Sequence, residues 1–180
     1  MRIIGGKFRS RTLAAFEGDK VRPTADRVKE SLFNILALNI AGARALDLFC
    51  GSGALGLECL SRGAKEVVFN DAAKGSVAIL KKNLQKLGVG KEAVVYSFDY
   101  LACLALQKTP FDLVFIDPPY KENYGEKALQ KIAQAGLLTE DGIAVYERDR
   151  SFEGEIAGLE QYDERKYGKT YLTFFRRSRA

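Results

Sequence analysis

Residues 47–56 are Asp-Leu-Phe-Cys-Gly-Ser-Gly-Ala-Leu-Gly, a glycine-rich turn between a short apolar run and a segment with helical spacing. Gly51, Gly53 and Gly56 permit a tight turn and let a ligand approach the backbone where a helix begins. Asp71 follows about 20 residues later, a spacing at which a carboxylate accepts hydrogen bonds from ribose hydroxyls. The pattern predicts a strand–turn–helix unit that binds a cofactor containing a nucleoside. The simpler alternative is a turn without a ligand.

Short apolar runs alternate with amphipathic segments on the C-terminal side of this turn. Such βαβ units form a mostly parallel sheet with helices on both faces, so we predict an α/β, Rossmann-like fold. The aromatic segment 170–175 predicts a last strand that runs antiparallel to the others. The alternation predicts strands over 45–49, 66–69, 93–96, 112–116 and 142–146, and helices over 54–62, 76–87, 101–106 and 126–135.

The composition limits the classes of protein and of chemistry. With 180 residues, 47% of them apolar and 28% charged, the chain is typical of a single soluble domain. It contains no histidine, which excludes Ser-His-Asp and Cys-His mechanisms and the usual His-containing zinc sites. The three cysteines match neither a zinc ribbon nor a disulfide framework, so we expect buried thiols. Without a signal peptide or a membrane-spanning run, we expect a cytoplasmic protein with no metal and no membrane partner.

Asp47 distinguishes between the cofactors that such a turn binds. A carboxylate near the end of the first strand attracts an ammonium group and repels a pyrophosphate. S-adenosylmethionine carries the ammonium group and NAD the pyrophosphate, so the sequence favours S-adenosylmethionine. Asp99, after the third strand, either contacts the adenine ring or caps the helix that begins at Tyr100. The predicted cofactor contacts are Asp47, Phe49, Gly51, Gly53, Asp71, Ala72, Asp99 and Tyr100.

A second motif follows the fourth predicted strand, where residues 117–120 are Asp-Pro-Pro-Tyr. The two prolines fix φ and lack N–H donors, so the loop is stiff and rich in acceptors. The Asp117 carboxylate and the Pro118 carbonyl can accept the two hydrogens of a planar exocyclic amine, while Tyr120 stacks on a flat heterocycle. A capped strand end with a packed aromatic residue is the alternative without a catalytic role. The predicted catalytic residues are Asp117, Pro118, Pro119 and Tyr120.

The loop and several further motifs resemble one family. The chain is similar to the RsmD family, class I S-adenosylmethionine-dependent methyltransferases that modify a guanine N2 in small-subunit ribosomal RNA. The resemblance implies a seven-stranded sheet and a monomer that methylates a guanine of the 966 class in ribosomal RNA, in the small subunit or in its assembly intermediate. Cys50, where the family commonly has Ala, and Asp71, where Glu is frequent, are departures that keep size or charge. The motifs that carry the resemblance lie at residues 1–7, 22–30, 32–36, 47–56, 60–64, 111–120 and 166–168.

Basic residues are concentrated at the two ends of the chain. The net charge is +5, and residues 1–11 and 165–180 contain ten basic and no acidic residues, so the part between them is net acidic. Glycines and aliphatic residues among the N-terminal arginines predict a hairpin or arm over 1–22 that contacts RNA, ahead of a methyltransferase domain over 23–180. The C-terminal block is either a solvated tail or a further RNA contact. The predicted RNA contacts are Arg2, Lys7, Arg9, Arg11, Arg22 and Arg27.

Three other functions remain open at this stage. An adenine-N6 methyltransferase acting on DNA or RNA uses a similar catalytic loop, although sequence-specific DNA enzymes usually carry a recognition domain for which this chain has little room. An NAD-dependent oxidoreductase would use the glycine turn with Asp71, but Asp47 opposes a pyrophosphate. A non-catalytic RNA-binding protein would need only the basic segments.

Overall fold

The structure, a computed structural model, describes residues 1–16, 23–119 and 123–179, and of Pro23 and Thr24 only the backbone. The α-helices are α1 (Pro23–Ile35), α2 (Ala37–Ile40), α3 (Ala54–Ser61), α4 (Lys74–Leu87), α5 (Tyr100–Leu106) and α6 (Tyr124–Gln134). The strands are β1 (Arg44–Asp47), β2 (Glu66–Asn70), β3 (Ala93–Tyr96), β4 (Phe111–Ile116), β5 (Leu138–Arg148), β6 (Leu159–Tyr167) and β7 (Thr170–Arg177). Among the described helices, none combines the length and the apolarity that crossing a membrane requires.

The seven strands form one sheet in the order β3-β2-β1-β4-β5-β7-β6. The strands from β1 to β5 pair in parallel, whereas β7 runs antiparallel to both of its neighbours, β5 and β6. The predicted α/β class, the mostly parallel sheet and the antiparallel last strand are confirmed. The parallel strands all end at one edge of the sheet, which we call the carboxyl edge, and begin at the opposite, amino edge.

Two strands differ from the sequence prediction by more than two residues at an end. The pattern did not predict β6, because this outermost strand is mostly exposed and only Leu159 is buried, so it shows no apolar alternation. The strand predicted over 142–146 begins earlier, at Leu138. Gly142 lies inside it, where a Cβ would come within 2.9 Å of the Phe111 carbonyl oxygen, so this glycine marks close packing rather than a strand end.

Apolar side chains alternate between the two faces of the sheet and form two core clusters. On one face, Val67, Phe69 and Phe115 pack with residues of α1, α3 and α4. On the other face, Leu46 and Ile116 pack with residues of α5 and α6. Consecutive residues of β4 thus belong to opposite clusters, as the two-residue period of a strand requires. The clusters hold the strands in place, and the loops after them meet at the carboxyl edge.

The three cysteines, Cys50, Cys59 and Cys103, are buried and free, as predicted. Burial raises the pKa of all three thiols, that of Cys103 to about 12. Protonated thiols of this kind are poor nucleophiles and pack as small apolar side chains.

The N-terminal segment forms a compact hairpin that packs into the core. Arg2 and Thr12 form an antiparallel bridge, and a 3-10 turn over Gly6–Phe8 lies between them. Ile3 and Leu13 are 1% and 3% exposed and belong to the same core cluster as α1 and α3. Burial of these aliphatic side chains attaches the hairpin to the rest of the molecule. The predicted domain boundary after residue 22 falls outside the described residues.

A buried carboxylate fixes this hairpin to α1 and α3. Glu58 accepts hydrogen bonds from the backbone N–H groups of Ile4 at 2.9 Å and Gly5 at 2.8 Å. It also forms ion pairs with Arg62, at 2.9 Å, and with Lys29, at 3.5 Å. The Glu58 side chain is fully buried, so its charge is balanced only by these groups and not by water.

Candidate active site at the carboxyl edge

The glycine-rich turn connects β1 to α3 and is tied to the residue that follows β2. Asp71 accepts hydrogen bonds from the backbone N–H groups of Gly51, at 2.9 Å, and Ala73, at 2.8 Å. Gly51 and Gly53 have φ angles of 53° and 87°, in the left-handed region that glycine adopts most easily. A Cβ on Gly53 would also lie within 2.4 Å of Leu80 Cδ1. The turn therefore requires glycine at residue 53 for both its conformation and its packing.

Asp47 is a buried carboxylate at the start of this turn. It is 2% exposed, and its Oδ2 atom accepts a hydrogen bond from the backbone N–H of Gly56 at 2.9 Å. Burial raises the pKa of Asp47 to about 7; the Gly56 hydrogen bond opposes this shift, and the nearby Asp71 adds to it. A buried carboxyl group with a raised pKa gains strongly from a neighbouring positive charge. These surroundings suit a cationic group of a ligand.

Asp99 lies after β3 and is exposed at the same edge. Its Oδ1 atom accepts a hydrogen bond from the backbone N–H of Leu101 at 2.9 Å, so Asp99 caps α5. Asp99 thus has the capping role that the sequence analysis gave as one of two alternatives. The cap uses only Oδ1, one of the two carboxylate oxygens. Ala72, another predicted cofactor contact, is exposed between Asp71 and α4.

The remaining predicted cofactor residues, Phe49 and Tyr100, belong to an aromatic cluster. The ring centroid of Phe49 lies 5.3 Å from that of Tyr100 and 6.4 Å from that of Tyr124, whose ring is nearly parallel to it. Tyr100 is 5% exposed, whereas Phe49 is half-buried. The cluster connects the glycine turn to α5 and to the helix after the Asp-Pro-Pro loop. It forms an apolar wall on one side of the candidate site.

Two buried asparagines hold these loops in place, and sequence reasoning missed both. Asn70, at the end of β2, donates to the Phe98 carbonyl at 3.1 Å and accepts from the Phe98 N–H at 3.2 Å. Asn83 of α4 donates to the Ser52 carbonyl at 2.9 Å and accepts from the Ala14 N–H at 2.7 Å. The signals in the sequence are an asparagine that ends an otherwise apolar strand, Asn70, and an asparagine on the apolar face of a helix, Asn83.

The Asp-Pro-Pro loop leaves β4 beside the end of β1. Asp47 pairs with Phe115 in the parallel register, two residues before Asp117. Asp117 is half-buried. Burial raises the pKa of Asp117 well above its ordinary range, and the nearby carboxylates of Glu147 and Asp47 raise it further. The structure thus brings together the carboxylates of the two motifs, which are 70 residues apart in the sequence.

The prolines of the loop differ in exposure. Pro118 is buried and Pro119 is exposed, so the loop is anchored at its first proline. Tyr120, the predicted stacking residue, lies outside the described residues.

Glu147 is a functional candidate that the sequence analysis missed. Ile116 pairs with Tyr146 in the parallel register of β4 and β5, so Glu147 and Asp117 follow at neighbouring strand ends. Glu147 is half-buried, like Asp117. A carboxylate directly after the strand predicted over 142–146 was the available signal, but the strand order that places it beside Asp117 is visible only in the fold.

Most of the predicted RNA contacts lie around the N-terminal hairpin. Arg2 is exposed and forms an ion pair with Asp26 of α1, with 3.1 Å between Nε and Oδ2. Arg11 is exposed as well, and Arg22 lies outside the described residues. Residues of the hairpin and of α1 line an open cavity of about 540 Å³. The charged residues that line it are Arg2, Arg9, Arg27, Asp26 and Glu30.

Lys7 lies apart from these arginines, near the amino edge. Phe8, the next residue, donates its N–H to Ser61 Oγ at 2.9 Å at the end of α3. The chain after α3 meets the chain before β1, where the Gly42 N–H donates to the Gly63 carbonyl at 2.9 Å. Lys7 therefore lies at the edge opposite the Asp-Pro-Pro loop.

A family model described as Conserved hypothetical protein 95 matches residues 1–176 of the chain. The match includes the N-terminal hairpin, the glycine turn, the Asp-Pro-Pro loop and nearly all of β7. It therefore extends far beyond the two motifs.

Curated relatives and solved structures are similar over the same range. "Ribosomal RNA small subunit methyltransferase D" of Escherichia coli (strain K12) is 40% identical over 149 residues, which cover 83% of this chain and 75% of that protein. "Putative rRNA methyltransferase YlbH" of Bacillus subtilis (strain 168) is 39% identical over 182 residues, 98% of this chain and 99% of that protein. The solved structure "Putative methyltransferase yhhF from Escherichia coli" superposes with a TM-score of 0.88 at 35% identity, covering 98% of this chain and 97% of that one.

Proposed function

The chain belongs to the RsmD family of methyltransferases, and from this premise we propose that it methylates ribosomal RNA. The proposed donor is S-adenosylmethionine, and the proposed acceptor is the exocyclic N2 of a guanine in small-subunit ribosomal RNA. The observation that carries the proposal is the position of Asp117, which lies at the carboxyl edge beside the buried carboxylate of Asp47. We further propose that the protein acts as a monomer in the cytoplasm.

The residues around the glycine turn fit S-adenosylmethionine. When bound, this cofactor supplies an activated methyl group on a sulfonium and carries an ammonium group. Asp47 would hold the ammonium group, because a buried carboxylate with a pKa of about 7 is stabilised by a neighbouring cation. Asp71 would accept hydrogen bonds from the ribose hydroxyls. Each of its carboxylate oxygens accepts one hydrogen bond from the turn and has a further lone pair for the ribose. The second carboxylate oxygen of Asp99 would reach the edge of the adenine ring.

The Asp-Pro-Pro loop is proposed to orient the amine. The Asp117 carboxylate and the Pro118 carbonyl accept one N–H each, and the prolines contribute no competing backbone donor. Tyr120 stacks on the base that has been turned out of its helix. With both hydrogens held, the nitrogen directs its lone pair towards the methyl carbon, and orientation of this kind supplies much of a rate enhancement.

The proposed methyl transfer is direct, and no covalent enzyme intermediate is needed. With S-adenosylmethionine bound, the amine nitrogen held by Asp117 and Pro118 would take up the methyl group and its positive charge, and the sulfur would keep the electron pair of the broken carbon–sulfur bond. The nitrogen then loses one proton, either to water or to the Asp117 carboxylate. Neither histidine nor a nucleophilic thiol is needed for this sequence.

The proposed RNA contacts are Arg2, Arg9, Arg11, Arg22 and Arg27, together with Lys7. The cavity between the hairpin and α1 supports this proposal for three of the arginines, since its lining contains more basic than acidic residues. The division into a hairpin over 1–22 and a methyltransferase domain over 23–180 belongs to the same proposal.

A methyl-transfer assay with nucleoside analysis tests the proposal. The chain is incubated with tritiated S-adenosylmethionine and naked small-subunit ribosomal RNA, partly assembled small subunits or finished small subunits, and the labelled nucleoside is identified after digestion. We expect N2-methylguanosine. N6-methyladenosine would favour the adenine-specific alternative, and RNA binding without methyl transfer would favour a non-catalytic protein. Binding of NAD without binding of S-adenosylmethionine would contradict the methyltransferase proposal altogether.

Asp117→Ala tests the role of the loop. Because the proposed role is orientation and acceptance of an N–H, we expect S-adenosylmethionine affinity close to wild type and a kcat lower by about 10²–10⁴-fold. Asp141→Ala removes an exposed carboxylate at the amino edge and serves as the control, with both quantities unchanged. A kcat of Asp117→Ala near that of the wild type would refute this role.

A further inference from the structure

The basic residues near the C-terminus are divided between the two edges of the sheet. Arg148, the last residue of β5, pairs with Tyr171 of β7. The turn that precedes Tyr171, between β6 and β7, therefore lies at the carboxyl edge. Arg177 pairs with Leu159 at the start of β6, so the last arginines of the chain lie at the amino edge. The two groups are close in the sequence but separated by the length of a strand.

The turn between β6 and β7 has a defined conformation. Tyr167 pairs with Thr170, which leaves Gly168 and Lys169 as a two-residue connection. Gly168 has a φ angle of 61°, and glycine at the first position is typical of a type II′ hairpin turn. Tyr167 is half-buried and packs against the core. The turn is thus anchored to the molecule and presents its lysines at fixed places.

Lys166, near the end of β6, and Lys169, in the turn itself, have no ionic partner within the part of the chain that the structure describes. Lys166 and Lys169 are exposed, and Lys166 Nζ lies 5.3 Å from the ring centroid of Tyr171. In contrast, Arg165 pairs with Asp163 and Arg176 pairs with Glu160, each at 2.9 Å. The charges of the two lysines therefore remain available to attract a polyanion.

The turn lies close to the Asp-Pro-Pro loop. Ile116 of β4, Tyr146 of β5 and Thr173 of β7 stand in one register across the sheet. Lys166 lies on β6, opposite Tyr171, and β6 is three strand spacings from β4, which is about 14 Å. This separation corresponds to roughly four nucleotides of a stacked strand at about 3.4 Å each.

We propose that Lys166 and Lys169 bind phosphates of the RNA that flank the methylated nucleotide. The inference rests on the proposed function and adds a second RNA-binding surface to it. This surface, the β6–β7 turn, lies on the β5 side of the catalytic loop, whereas the glycine turn lies on the β1 side. The lysine ammonium groups donate to phosphate oxygens, and the exposed part of the Tyr171 ring packs against the adjacent nucleotide. The contact is made to the backbone, so it contributes affinity and orientation but no base specificity.

Two double variants with equal charge test this proposal. Lys166→Ala/Lys169→Ala removes two positive charges at the carboxyl edge, and Arg177→Ala/Arg179→Ala removes two at the amino edge. Methylation rates are measured as a function of KCl concentration on naked small-subunit RNA and on assembled small subunits. We expect the lysine variant to raise the KM for RNA about tenfold at physiological salt, without a change in kcat. The dependence of log(kcat/KM) on log[salt] should become shallower by about 1.5, whereas the arginine variant should behave like the wild type.

The outcomes separate this inference from the proposed function. If the wild-type chain methylates neither substrate, both fail together. If it methylates RNA and the two double variants have equal KM values, the turn is not a phosphate-binding surface, although the methyltransferase proposal stands. An effect of the lysine variant on assembled subunits alone, with naked RNA methylated as by the wild type, would mean that the turn binds protein and would overturn the inference. Unchanged thermal unfolding and S-adenosylmethionine binding establish that the variants are folded.

Discussion

Ionised Asp47 lowers the stability of the folded chain, and it is also the proposed partner of the cofactor's ammonium group. Its carboxyl group is buried under the glycine turn, and its pKa of about 7 is well above the usual value of 3.8. The folded chain therefore holds this proton more tightly than the unfolded chain. By linkage, the contribution of Asp47 to stability falls as the pH rises from about 4 to about 7 and stays low at higher pH.

Asp47→Asn is expected to stabilise the protein in the absence of cofactor above pH 7. The neutral amide avoids ionisation in a buried position, and we expect a gain of about 1–3 kcal/mol in the free energy of unfolding at pH 8.5, with a smaller gain at pH 5.5. Affinity for S-adenosylmethionine should fall about tenfold or more, because a charged partner of its ammonium group is lost. Urea unfolding and calorimetry measure the two effects, and a variant that is less stable than the wild type at pH 8.5 contradicts the prediction.

After burial, the charge of Glu147 is the largest cause of the raised pKa of Asp117. Burial and the charge of Glu147 both raise the pKa of Asp117, and the proposed role of Asp117 requires the carboxylate. Activity should therefore fall as the pH decreases through this raised pKa. Glu147→Gln removes the charge of Glu147 and leaves burial in place, so the acid limb of the kcat profile should move to lower pH.

Glu140→Gln is the matched control for this substitution. Glu140 is an exposed residue of the same strand at the amino edge, and its loss should leave the profile in place. Equal profiles for Glu147→Gln and Glu140→Gln would show that Glu147 does not act on Asp117.

At the scale of elements, the N-terminal hairpin depends on one buried carboxylate of α3. Glu58 accepts hydrogen bonds from two backbone N–H groups of the hairpin and forms ion pairs with Arg62 and Lys29. Burial lowers the pKa of Lys29, and the charges of Glu58 and Asp26 counteract that shift. Removal of the Glu58 charge would leave the buried ammonium group of Lys29 with only the charge of Asp26 to compensate it.

Glu58→Gln should therefore destabilise the protein by about 3–5 kcal/mol and loosen the hairpin. Urea unfolding measures the stability, and hydrogen exchange at residues 3–13 reports on the hairpin itself. Glu66→Gln breaks the more exposed ion pair with Arg44 and should cost under about 1 kcal/mol. Similar losses for the two variants would mean that Glu58 does not fix the hairpin.

At the scale of the whole molecule, the parallel sheet assembles the candidate site. Asp47, Asp71, Asp99, Asp117 and Glu147 each lie at or just after a strand end, and the parallel direction brings all of these ends to one edge. The same topology separates Lys7 and the last arginines from this edge. The charge that the sequence concentrates at the chain ends is therefore distributed over opposite edges of the sheet.

The two motifs could be predicted from the sequence because their signals are local. Gly51 and Gly53 are needed for positive φ angles within one turn, and the prolines after Asp117 stiffen one loop. Asn70, Asn83 and Glu147 could not be found in this way, since their partners lie on other elements. β6 was missed because an outermost strand buries few side chains and shows no apolar alternation.

The sequence by itself determined the α/β class, the positions of most strands and helices, the glycine turn and the Asp-Pro-Pro loop. These features depend on residues within a few positions of each other, through apolar periodicity and through the backbone preferences of glycine and proline. Only the tertiary structure decided that Glu147 stands beside Asp117, that Ile3 and Leu13 join the core, and that the basic residues near the C-terminus face opposite edges. Those facts follow from strand order and register, which are set by packing between segments far apart in the chain.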